Sequence, residues 1–173
     1  MTESFEAPGI HALRLVDRSD PAVLAAVLEV YRQCEDFLAL GPQPQASPEM
    51  VQADLDLSQS SGGIFCGIFA GPADEMIGVV DYIPAGFEGN RQCAFIELLM
   101  IARPFRSRGL GYQIVAGLEA EICKDPLISA IRLGCQINNP GGIRFWQRCG
   151  YRITGPAVDY PDQTTAYPME KLV

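Results

Sequence analysis

The amino-acid sequence predicts a single α/β (α+β) domain over residues 1–173, with a sheet of six to seven strands and about four flanking helices. Three observations carry this. The run Cys93–Ile101 is apolar at every position except Glu97, as suits a strand covered on both faces, and it leads into a basic, glycine-bearing turn and then a helix. A capping residue followed by proline occurs three times, at Asp20-Pro21, Ser47-Pro48 and Asn139-Pro140. Each pair marks a helix start, because the fixed φ and missing N–H of proline suit the first helical position. Two apolar runs, Ile64–Ala70 and Met76–Ile83, are joined by Gly71-Pro72-Ala73-Asp74 and read as an antiparallel pair. With 173 residues and 48% hydrophobic content the chain can bury one well-formed core, and no repeat or linker divides it.

The elements follow in order. His11–Val16 forms a short first strand. The first helix runs from the Asp20 cap to about Asp36, with Val23, Leu24, Val27, Leu28, Tyr31 and Cys34 on one stripe. Glu35 and Asp36 would stand at its negative end, unfavourable by roughly 0.3–1 kcal/mol, which makes them weak candidates for attracting a cationic amine, together with Asp81. Phe37–Ala46 is a loop, and Ser47 starts a second helix that carries Met50, Val51 and Leu55 to about Gln59. After the glycine turn, Ile114, Val115, Leu118 and Ile122 make a helical stripe closed by Pro126. Ala130–Ile137 is a strand; Asn139 begins the last helix, and Gly150 fits its left-handed C-terminal position. Tyr151–Gly155 and Thr164–Leu172 finish the sheet.

A net charge of −8 and a pI of about 4.6 argue against nucleic acid or an anionic membrane as the main partner. Arg103, Arg106 and Arg108 are a local exception. The six cysteines include no Cys-x-x-Cys pair and mostly sit in apolar runs, so they read as reduced core residues. Met1–Glu6 lacks the basic and apolar regions of a signal peptide, and no run reaches membrane-spanning length, so a cytoplasmic location is expected. His11 is the single histidine and reads as structural, and no metal site is expected.

The turn after Ile101 has the chemistry of an anion site. Gly109 and Gly111 let the backbone approach a ligand closely, and the following helix points free N–H groups and its positive dipole end at the loop. A nucleotide loop of the Gly-Lys-Ser/Thr kind is excluded because Tyr112-Gln113 follows Gly111, leaving no lysine for the terminal phosphates. A dinucleotide turn is excluded because Ile114 occupies its third glycine position. What remains, Arg106-Ser-Arg-Gly-Leu-Gly111, resembles the Gln/Arg-x-x-Gly-x-Gly/Ala motif of the GCN5-related N-acetyltransferase superfamily. About thirty residues on, Asn139-Pro-Gly-Gly-Ile-Arg-Phe-Trp-Gln-Arg-Cys-Gly-Tyr151 resembles its Asn-x-x-Ala-x-x-Phe-Tyr-x-x-x-Gly-Phe/Tyr. The order of elements matches that family from about residue 11 onward.

This resemblance implies a mixed, mostly antiparallel and strongly twisted sheet whose fourth and fifth strands splay apart to admit the pantetheine arm of acetyl-CoA. It implies an acetyl-CoA-dependent N-acetyltransferase that moves an acetyl group to a primary amine of a small molecule or peptide, by direct transfer in a ternary complex. Backbone groups of Met100 and Ile101 would pair with the arm. Amides of Arg106, Ser107, Arg108, Gly109, Leu110, Gly111 and Tyr112 would hold the pyrophosphate, and Asn139 would contact pantetheine or cap its helix. A homodimer is common in the family.

Acetyl transfer needs a neutral amine, and a lysine-like amine is only about one part in a thousand neutral at pH 7. Glu97, the one acid in the central strand, is the candidate base, and partial burial would suit it to the task by raising its pKa. Trp146 stands where many members of the family carry the tyrosine that protonates the departing thiolate. Indole does not give up its proton, so Trp146 reads as core, and Tyr112, Tyr151 or Tyr160 would have to serve. That departure motivates an alternative, a non-catalytic acyl-CoA-binding module on the same fold.

Overall fold

The structure, a computed structural model, describes residues 4–6, 11–71 and 73–173. Pro72 of the connecting turn, the side chain of His11 and most of the segment read for a targeting signal lie outside these residues. The described strands are β1 (Ser4–Glu6), β2 (His11–Leu15), β3 (Ile64–Ala70), β4 (Glu75–Ile83), β5 (Cys93–Ile101), β6 (Ala130–Gln136), β7 (Arg152–Ile153), β8 (Val158–Asp159) and β9 (Thr165–Leu172). The helices are α1 (Pro21–Arg32), α2 (Glu35–Leu38), α3 (Pro48–Ser61), α4 (Leu110–Ile122) and α5 (Pro140–Arg148). Strand order in the single mixed sheet is β1-β2-β3-β4-β5-β6-β9-β7, with β8 also on β9. Only β5–β6 is parallel, as its crossover through α4 requires.

The short strands β1 and β8 bring the sheet to nine, beyond the six or seven expected. The expected strand Tyr151–Gly155 contracts to Arg152–Ile153, since Gly155-Pro156 cannot continue a ladder. Helices cover both faces. Ile114, Leu118 and Ile122 of α4 and Trp146 of α5 pack on one, while Val27, Tyr31, Val51 and Leu55 of α1 and α3 pack on the other. Leu118 and Ile131 are fully buried, each contributing about 1.5–3 kcal/mol relative to exposure. All three cap-proline pairs start helices, with the Asp20, Ser47 and Asn139 side chains accepting first-turn N–H groups. Among the described residues no helix is long and apolar enough to cross a membrane.

The first helix departs from expectation. It ends at Arg32, and α2 begins at Glu35, so Glu35 and Asp36 occupy the first turn of a new helix. Negative charge there faces free N–H groups and is favourable, which removes the electrostatic conflict the sequence implied. Glu35 accepts the Ala46 N–H at 3.0 Å and ties down the loop that follows.

A second feature bears directly on function. The pairing of β4 with β5 runs from Gly78↔Ile101 to Asp81↔Leu98, then jumps to Tyr82↔Ile96. Glu97 is the extra residue of a β-bulge. The bulge switches faces: Ile96 packs with the α4–α5 layer, whereas Leu98 and Met100, two and four residues on, pack with α1 and α3.

Candidate active site

The opening in the sheet starts at Glu97. Strands β5 and β6 pair from Cys93↔Ala130 to Ile96↔Leu133 and no further, so Glu97–Ile101 and Gly134–Gln136 diverge. This is the splay between the fourth and fifth expected strands. The Ala102 N–H donates to the Ile77 carbonyl of β4 at 2.8 Å. Backbone groups alternate sides along a strand, so Met100 also directs its groups at β4, and Leu99 and Ile101 direct theirs into the opening. Met100 is therefore corrected to Leu99 as a strand-edge residue available to a ligand. The Ile101 carbonyl is itself occupied: the Arg106 Nε donates to it at 2.6 Å and the Cys34 thiol at 3.4 Å.

Behind β5, a 3-10 turn at Arg103–Phe105 leads into a loop in which Ser107 (φ 64°) and Gly109 (φ 76°) are left-handed. Such alternation turns successive N–H groups toward one point and forms an anion cradle. Among the described residues, no acceptor takes the N–H of Ser107, Arg108, Gly109, Leu110 or Gly111. Arg106 and Tyr112 drop out of the expected set of amides, since the first donates to Arg103 at 3.3 Å and the second to Gly109 at 3.1 Å. Gly109 caps α4 without a side-chain bond, which leaves the helix end open to a ligand. At Gly111 a Cβ would lie 3.0 Å from the Phe145 ring, so the small residue lets α4 and α5 approach each other beside the cradle.

The three arginines separate. Arg106 was expected near a ligand because no acid lies close to it in sequence. The fold brings Asp36 to it across 70 residues, with contacts of 2.6 and 3.2 Å. Its guanidinium is a clamp between α2 and β5, and it holds the Asp36 carboxyl below its usual range. Arg103 reaches the same acid at 3.8 Å. Arg108 is exposed and makes no ion pair among the described residues, which leaves its charge beside the cradle. Asn139 takes the second of its two expected roles, as its Oδ1 accepts the Gly142 N–H at 2.8 Å and caps α5.

Glu97 is half-buried beside Asp81 of β4 and Asp54 of α3. Burial first, then the Asp81 charge, pushes its carboxyl up to about 7. Asp81, named above as a candidate amine attractor, is only 4% exposed, and its carboxyl is likewise raised by burial. Asp54 was missed from the sequence. It accepts the Tyr31 hydroxyl at 2.6 Å, and burial raises its carboxyl too. One signal could have revealed it, since Asp54 shares a helix face with Val51, Leu55 and Ser58, all buried.

The aromatic candidates also sort by position. Trp146 is 9% exposed and stacks edge-on to Phe145 and Tyr151, so it belongs to the core. Tyr151 is fully buried in the core against Trp146, with burial and then Glu119 raising its pKa, and this position sets it apart from the other tyrosines. Tyr112 lies over Phe145 at the surface. The Tyr160 hydroxyl would be 3.4 Å from a Cβ at Gly134, the first β6 residue beyond the last β5–β6 pair, where glycine leaves space for it. Five of the six cysteines are buried, Cys123 being exposed, and none is in a disulfide.

Free loop amides at the start of α4, beside a strand edge left open by the splay, are groups that fit the pyrophosphate and pantetheine arm of coenzyme A. The family model described as the acetyltransferase (GNAT) family matches residues 24–151. No curated protein sequence matches the chain. Among solved structures, the fold is shared with the apo form of RimL, a ribosomal L7/L12 alpha-N-protein acetyltransferase (TM-score 0.78, 17% identity, covering 100% of this chain and 96% of that one). It is shared with a spermidine N-acetyltransferase from Vibrio cholerae in complex with CoA and spermine (TM-score 0.69, 15% identity, coverage 94% and 95%). An aminoglycoside acetyltransferase in complex with coenzyme A is a third (TM-score 0.72, 19% identity, coverage 94% and 94%). The chain belongs to the acetyltransferase (GNAT) family and is an acyltransferase.

Proposed function

We propose that this chain transfers an acetyl group directly from acetyl-CoA to a primary amine in a ternary complex, with Glu97 accepting the proton of the amine. One observation carries the reading: a bulge sets the only acid of β5 beside Asp81 and Asp54 at the point where the sheet opens, and burial and the Asp81 charge push its carboxyl up to about 7. A base whose pKa lies near the working pH is both available and strong enough to help.

When bound, acetyl-CoA supplies an acyl group activated as a thioester. The free amides of Ser107 to Gly111 would hold its pyrophosphate, with Arg108 adding charge, and the backbone of Leu99 and the N–H of Ile101 would offer a strand edge to its arm. The amine nitrogen forms the new C–N bond as the C–S bond breaks, and the nitrogen proton goes to Glu97. A proton for the departing sulfur comes from Tyr160, which burial keeps protonated. Replacing it, Tyr160→Phe, is expected to lower kcat about tenfold or more with little change in the Kd for CoA; an unchanged kcat assigns the proton to solvent.

Three acids with no cation paired to them favour a cationic acceptor, a small amine or a peptide terminus. The fold neighbours are named for a ribosomal protein N-terminus, spermidine and aminoglycosides, so such acceptors form the panel to screen. The set of unpaired cysteines supports a reducing, cytoplasmic location. Thiol release from acetyl-CoA with at least one amine in the panel is the expected result. Saturable binding of acetyl-CoA without turnover of any amine would favour a non-catalytic acyl-CoA sensor instead.

A further inference from the structure

We propose that Asp81 is a positioning residue for Glu97: across the β4–β5 bulge the two carboxyls share one proton, and Asp81, held by Ser58, sets the pH range in which Glu97 can take a proton from the acceptor amine. This rests on the reading of Glu97 as the base.

The geometry is specific. Glu97 has no residue opposite it on β4, because Asp81 pairs with Leu98 and Tyr82 with Ile96. Its Oε2 is sealed from solvent and receives no hydrogen bond. The Glu97 carboxyl lies within hydrogen-bonding reach of two side chains, the Ser61 hydroxyl and another carboxyl, that of Asp81. Two ionised carboxylates facing each other across this buried bulge repel, so one of them holds a proton for its neighbour. Asp81 is fixed as the partner that stays ionised, since the Ser58 hydroxyl donates to its Oδ1 at 2.7 Å in a buried contact. The chain even makes room for this bond. A Cβ at Gly63 would fall 2.7 Å from the Ser58 Oγ and 3.1 Å from the Asp81 Oδ1.

Every element packed around the pair contributes like charge or neutral groups. Asp54, Ser58 and Ser61 face it from α3, Tyr31 from α1 through Asp54, and Cys66 from β3. No ion pair among the described residues reaches Asp54, Asp81 or Glu97. The consequence is chemical. Moving a proton from an amine of pKa about 10.4 to an ordinary glutamate is uphill by roughly six units, and to one near 7 by roughly three. The lone pair of the amine is then free to form the C–N bond, while Glu97 carries the proton that has left it.

The test uses the free protein, with glutamate side-chain carboxyls labelled with carbon-13 and the Glu97 resonance assigned by its loss in Glu97→Gln. The wild-type resonance is expected to titrate near pH 7. In Asp81→Asn, which keeps an acceptor for Ser58 but removes the charge, its midpoint is expected to fall by about one unit or more. The acidic limb of the kcat/KM profile, read with any amine that turns over, is expected to fall with it. A midpoint and limb that stay in place in a folded Asp81→Asn protein overturn the inference. Should that variant not fold, Ser58→Ala reports on the same pair: Asp81 then takes a larger share of the proton and the titration spreads over both carboxyls. Titration confined to Glu97 at an unchanged midpoint counts against sharing. The two readings fail separately, because an acidic limb that survives Glu97→Gln removes Glu97 as base, whereas loss of that limb with an inert Asp81→Asn removes only the role of Asp81.

Discussion

Glu97→Gln is expected to lower kcat by about 10²–10⁴-fold near neutral pH, the usual contribution of a positioned base. The Kd for acetyl-CoA, measured by calorimetry, is expected to change less than about twofold, because the cradle at Ser107 to Gly111 lies beyond the end of β5 and does not involve the carboxyl. The pH dependence supplies the sign. The Glu97 carboxyl, raised to about 7, is protonated and idle below that pH and available above it, so the wild-type kcat/KM is expected to rise through pH 7. Glutamine cannot take a proton, and the variant is expected to gain rate only as the amine loses its own. The deficit should therefore narrow toward pH 10. Equal pH profiles for the two proteins would exclude Glu97 from the proton transfer.

Arg108→Glu is the second large effect. It replaces the free cation beside the cradle with an anion, and a charge-assisted contact contributes roughly 1.5–3 kcal/mol. The Kd for CoA is expected to rise about ten- to a hundredfold, and to depend less on salt, while kcat at saturating acetyl-CoA stays close to wild type. Binding as tight as wild type would place the pyrophosphate away from this loop. Arg106 is a poorer probe, because removing it strands Asp36 and frees the Ile101 carbonyl, which alters the loop before any ligand arrives.

Local grammar explains why so much of the fold was legible. Helix starts were readable at Asp20, Ser47 and Asn139 because capping is a contact between near neighbours in the chain. The anion loop was readable because left-handed residues and a helix N-terminus act within six positions, from Arg106 to Gly111. The end of α1 was not, since the break at Gln33–Cys34 carries no proline or glycine. The chain instead turns where the Cys34 thiol meets the Ile101 carbonyl, 67 residues away.

Within the site, the residue types were visible but their partners were not. Glu97 stood out as a lone acid in an apolar strand, yet strand alternation alone cannot show that it occupies a bulge. A bulge is a mismatch between two strands, and it exists only once β4 has paired with β5. For the same reason Met100 and Leu99 exchanged places as the edge facing the opening, and Arg106 found its counterion on α2.

The sequence by itself determined the class of protein and singled out the loop and the acid proposed as cradle and base, because each depends on short-range patterns of apolar, glycine and capping residues. Tertiary structure alone decided which charges are neutralised and which carboxyls share a proton. Electrostatic interaction depends on distance through space and on burial, and Asp36 with Arg106, or Asp81 with Glu97, become neighbours only when the sheet and its two helical layers close around them.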